Sequence, residues 1–89
     1  MRRLRIKVFG RVQGVAFRHS TQAKANQLGV KGFVKNKSDG SVTIEAEAEE
    51  KVLNDFLSWC RRGPDHAIVQ DIETKDIPVK NDNAFNIRY

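Results

Sequence analysis

Lys31-Gly32-Phe33-Val34-Lys35-Asn36-Lys37-Ser38-Asp39-Gly40-Ser41-Val42-Thr43-Ile44-Glu45-Ala46-Glu47-Ala48 is the stretch that decides how this 89-residue chain folds. Asp39-Gly40 is a strong hairpin signal, because both residue types tolerate the positive φ of a tight turn. It separates two strand-like runs, at about 31–36 and about 41–48. In the second run Val42, Ile44, Ala46 and Ala48 fall on one face and Thr43, Glu45 and Glu47 on the other. That period of two belongs to a strand with one face toward a core.

Working outward, each flank of the hairpin offers a helix to cover that face. Upstream, Phe17, Thr21, Ala25 and Leu28 make one helical stripe, which Gly29 can cap. Downstream, Val52, Leu53, Phe56, Leu57 and Cys60 follow a 3.6-residue period, with acids in the first turn and Arg61 and Arg62 in the last, both favourable to the helix dipole. Gly63-Pro64 stops this second helix. Further out, Leu4, Ile6 and Val8 alternate with Arg5 and Lys7, which predicts a strand over 4–9 ended by Gly10. Further strands are expected around 67–76 and 84–88, where Phe85 and Ile87 alternate with Asn86 and Arg88. The order β-α-β-β-α-β with a short final strand is the α+β, ferredoxin-like split βαβ plan, with two helices on one face of an antiparallel sheet. No repeat or linker-like stretch interrupts it, so residues 1–89 are expected to form one domain.

Charge narrows the partners. Residues 1–38 hold ten basic side chains and no acid; from Asp39 onward six bases face eleven acids, and the whole chain carries +5. Such asymmetry builds a positive potential that concentrates anions. The single cysteine, Cys60, excludes an intramolecular disulfide framework and a Cys-based metal cluster, and a reducing cytoplasmic address is expected. His19 and His66 have no metal-ligand spacing with each other or with Cys60, so no metal or cofactor is expected. No span of about 20 apolar residues predicts a membrane crossing.

The segment Gly10-Arg11-Val12-Gln13-Gly14-Val15-Ala16-Phe17-Arg18 lies between the first strand and the first helix. A glycine-containing loop that opens a helix turns several backbone N–H groups toward one point, and the dipole favours an anion there. The loop from Val12 through Gln13, Gly14, Val15 and Ala16 to Phe17 is therefore the candidate binding segment, with a tight structural turn as the competing use. Arg18 adds a permanently charged fork to the same anion. Neither a Walker A loop nor Gly-x-Gly-x-x-Gly is present. At the end of the second strand, Asn36 offers an acceptor oxygen and two donor hydrogens, enough to orient a water but not to remove a proton; a turn-forming role is its alternative. His19 projects about 100° from Arg18 on a helix and ranks low as a base. Cys60 is expected in the core, beside Trp59.

Together these two segments resemble the acylphosphatase family. Its loop pattern Gly-Arg-Val-Gln-Gly-Val-x-Phe-Arg matches Gly10 to Arg18, and its pattern Gly-x-Val-x-Asn-x-x-Asp-Gly-x-Val matches Gly32, Val34, Asn36, Asp39, Gly40 and Val42. The likeness continues through Arg61-Arg62-Gly63-Pro64 to Phe85-Asn86-Ile87-Arg88-Tyr89, with Ala48 standing where the family usually has glycine. The resemblance implies metal-free hydrolysis of a carboxyl-phosphate anhydride, without a cofactor. By position it implies that Arg18 and the amides of 12–17 bind phosphate and that Asn36 orients the attacking water. The implied partners are a small acyl phosphate and inorganic phosphate, with no nucleic acid or membrane, and a monomer is expected. The rival is a basic ferredoxin-like anion- or RNA-binding module without turnover; Lys31-Gly32-Phe33 starts like an RNA-recognition strand, but Lys35 and Ser38 stand where aromatics are needed.

Overall fold

Seven elements run through the computed structural model, which describes residues 1–89. They are β1 (Arg2–Arg11), α1 (Phe17–Leu28), β2 (Lys31–Asn36), β3 (Val42–Ala48), α2 (Glu50–Arg62), β4 (Ile68–Ile77) and β5 (Phe85–Arg88). The five strands form one sheet in the order β4-β1-β3-β2-β5. Leu4, Ile6 and Val8 of β1 stand opposite Ala46, Ile44 and Val42 of β3, so their apolar sides share one face. Leu53, Phe56 and Cys60 of α2 and Phe17 and Ala25 of α1 close over it in a continuous core. Gly29 caps α1 in a left-handed conformation, its N–H donating to the Ala25 carbonyl.

Three features differ from the expectations. The sheet is antiparallel from β4 to β2, but β5 joins it parallel to β2. After β4 the chain crosses from one edge of the sheet to the other and reverses, and that reversal aligns β5 with β2. Gly10 does not end β1. The strand continues to Arg11 past a register shift between Phe9 and Gly10. Gly10 has φ +129°, and a Cβ there would sit 2.2 Å from the Ile68 carbonyl oxygen, so glycine lets β4 approach where a larger residue would push it off. In the β2–β3 turn only Gly40 takes a positive φ. Asp39 acts through its carboxylate instead, accepting from the Ser41 backbone N–H at 2.9 Å.

The crossing segment, residues 78–84, also covers part of the sheet face away from the helices. Glu45 and Glu47 lie on that face, yet both are buried. Buried Arg3 donates to Glu45 at 3.0 Å and Glu47 at 3.2 Å and pairs with Asp82 at 3.0 Å. Glu47 accepts the backbone N–H groups of Lys80 at 2.7 Å and Asn81 at 2.9 Å, which fastens the crossing segment to β3.

Candidate active site

β1 hands the chain to α1 through a loop that contains two residues at positive φ, Gly14 and Ala16. Val12 is fully buried and anchors the loop to the core. Gly14 has φ +73° with open space around it, so this position needs glycine for its backbone angle. Ala16, the residue before α1, is left-handed as well, at φ 58° and ψ 26°. For a residue with a Cβ that conformation costs about 1–2 kcal/mol, and strain of this kind concentrates at functional sites. No side chain caps the first turn of α1 and no acid stands in it. The helix N-terminus is thus left with donors and positive potential for an anion.

A cavity of about 80 Å³ lies against this turn. Val12, Gly14, Ala16 and Phe17 line it together with Arg18, His19 and Asn36. By the same measure a single water needs about 10–15 Å³, so there is room for a small tetrahedral anion with a water beside it. Arg18 has no carboxylate partner. Its Nη1 donates to the Arg88 carbonyl at 3.3 Å, and its guanidinium lies 4.6 Å from the centre of the Tyr89 ring, two contacts that hold the fork at the cavity while leaving donors free. Asn36, at the end of β2, reaches the cavity from the other side. Its Oδ1 is buried and has no hydrogen-bond partner. A buried acceptor left unmet costs about 1–3 kcal/mol, which a donor entering the cavity relieves.

Two of the expected binding residues use their side chains elsewhere. Val15 packs against the core. Gln13 Nε2 donates to the carbonyls of Lys37 at 2.7 Å and Ser41 at 2.9 Å, and so ties the loop to the β2–β3 hairpin one residue beyond Asn36. Neither this clamp nor the Arg88 and Tyr89 contacts to Arg18 were visible in sequence. They depend on pairing between distant strands; the one local hint for Gln13 is a long amide inside an otherwise small and apolar loop. His19, ranked low from helix geometry, stands at the rim. Cys60 is fully buried in α2 and burial raises its thiol pKa, which suits a core residue. No group of three or more His, Cys, Asp or Glu side chains is placed to hold a metal ion. A larger depression of about 420 Å³ beside Trp59 and Pro64 brings together neither a free guanidinium nor an unmet acceptor.

Comparison with known proteins bears on the family and the fold of the whole chain. A family model described as Acylphosphatase matches residues 4–87. A curated acylphosphatase of Clostridium acetobutylicum is 48% identical over 90 residues, covering 100% of this chain and 99% of its own length. One from Archaeoglobus fulgidus is 45% identical over 86 residues, covering 97% of each. The crystal structure of acylphosphatase from Bacillus subtilis has a TM-score of 0.97 at 38% identity, with both chains covered completely.

Proposed function

Because the chain belongs to the acylphosphatase family, hydrolases that act on small acyl phosphates, we propose that it performs this hydrolysis in the cavity between the 12–17 loop, Arg18 and Asn36. The substrate phosphate sits on the amides at the start of α1, and Arg18 binds its oxygens as a fork. Asn36 Oδ1 accepts a hydrogen bond from the attacking water; the terminal torsion of an amide side chain is soft, so the oxygen turns readily to the cavity. The water oxygen bonds to phosphorus as the bond from phosphorus to the carboxylate oxygen breaks. The products are a carboxylate and inorganic phosphate, and the water's proton passes to a phosphate oxygen. A carboxylate is a good leaving group, so a loose transition state needs charge stabilisation and alignment more than a protein base. This explains why the cavity holds no acidic side chain, and the reaction proceeds without a metal or a cofactor.

The observation that carries this reading is that Asn36, whose amide oxygen has no hydrogen-bond partner, lines the same cavity as a guanidinium free of carboxylates. The site is complete within one chain, which supports a monomer with residues 1–89 as one working domain, and a small-molecule substrate in preference to a nucleic acid. The buried single thiol suits a reducing cytoplasm. Hydrolysis of benzoyl phosphate, followed in EDTA at graded inorganic phosphate, tests the assignment. Chelator-resistant turnover with competitive inhibition by phosphate is expected; a folded protein without turnover would move the weight to a binding module.

A further inference from the structure

The sheet face away from the helices holds a second, separate set of cations. Register places Lys7, Thr43, Lys35 and Arg88 in one row across β1, β3, β2 and β5, with Arg5, Glu45 and Phe33 in the next row. Lys7 and Lys35 are two strands apart, about 9.5 Å between backbones, with the short Thr43 between them. The result is a trough of about 390 Å³ flanked by Arg5 and Lys7 on one side and Lys35, Lys37 and Arg88 on the other. Lys35, Lys37 and Arg88 have no carboxylate partner. Lys7 approaches Asp39 only at 3.9 Å. The one acid in the trough, Glu45, is already engaged by Arg3 at 3.0 Å, Lys80 at 3.3 Å and Arg5 at 3.5 Å.

We propose that this trough binds a short phosphoanhydride chain, the group shared by inorganic tripolyphosphate and a nucleoside triphosphate, at a site separate from the catalytic cavity. Two facing rows of cations suit a linear anion lying along β3, with charge-assisted contacts from both sides. The trough is bounded: the crossing segment closes it beyond Glu45, Asp39 stands at the turn end, and Glu73 lies opposite Lys7 on β4. These limits select a short chain over an extended polymer. Phe33 is only 7% exposed and Arg88 covers its ring at 3.9 Å, so that ring is not free to stack on bases as a single-stranded nucleic acid requires.

The test is an amide NMR titration with tripolyphosphate in the presence of saturating orthophosphate, repeated with ATP, AMP and a ten-residue oligouridylate. Shifts centred on Lys7, Thr43 and Lys35, which persist under orthophosphate and weaken with salt, are expected from tripolyphosphate and from ATP but not from AMP. The Lys7→Gln/Lys35→Gln variant should lose at least tenfold in tripolyphosphate affinity while hydrolysis is unchanged. Shifts confined to Gly14 and Arg18, an unchanged affinity in the variant, or no binding would overturn the proposal. So would oligouridylate binding more tightly than tripolyphosphate, which would mark the face as a nucleic-acid surface. Because the shifts are read residue by residue, failure of this site is distinguishable from failure of the catalytic cavity.

Discussion

The proposed mechanism gives Arg18 two roles that can be measured separately, binding phosphate before reaction and holding charge as the anhydride bond breaks. Removal of one preorganised donor typically slows catalysis about 10²–10³-fold, so Arg18→Ala should lose at least that in turnover and also bind phosphate more weakly. Wild-type-like turnover in the folded variant would rule Arg18 out of the site. Gln13 acts at one remove. Its amide bridges the anion loop to the carbonyls of Lys37 and Ser41, so Gln13→Met should keep most stability but lower turnover about tenfold, because the loop and Asn36 lose their fixed spacing. Rescue in Gln13→Asn is not expected, since the shorter side chain does not span the gap. Arg18 and Asn36 were legible in the sequence because each sits in a dense local pattern. The tethers on Arg18 were not, because Arg88 and Tyr89 reach it only once β5 has docked beside β2.

Among the elements, the hairpin and both helices could be read directly, since apolar period, Asp-Gly and the Gly29 and Gly63 stops are all local signals. The direction of β5 could not, because four residues carry no sign of which neighbour they will meet. Nor could the burial of Glu45 and Glu47: an alternating strand reads as half-solvated unless something unpredicted crosses its outer face. The β2–β3 pairing depends on one backbone approach. A Cβ on Gly32 would lie 1.9 Å from the Glu45 carbonyl oxygen, at φ +137°. Gly32→Ala should therefore cost about 3 kcal/mol or more, which for a domain of this size lowers the melting temperature by about 12 °C or more. A thermal melt within a few degrees of wild type would show that β3 can move aside.

On the scale of the whole molecule, the crossing segment joins stability to pH and the two edges of the sheet to each other. Burial raises the Glu45 pKa, but the hydrogen bonds from Arg3 and Lys80 outweigh it and hold the group below its usual 4.5. A carboxyl depressed on folding stabilises the protein above its unfolded value and loses that contribution as pH falls through the folded value. Urea midpoints should accordingly be flat above about pH 5 and fall below about 4.5, with a shallower fall in Glu45→Gln. An equally steep fall in that variant would assign acid sensitivity to other groups. The same fold brings the end of β2 against the loop after β1, and the proposed mechanism depends on that meeting: in it one side binds phosphate and the other aims the water. The most direct test is to measure kcat and the inhibition constant for inorganic phosphate in Asn36→Ala, with folding checked by circular dichroism. Turnover should fall at least about 100-fold while phosphate inhibition stays within about twofold of wild type. If both fell together, Asn36 would be a phosphate ligand and the division of labour between the two sides of the cavity would be wrong.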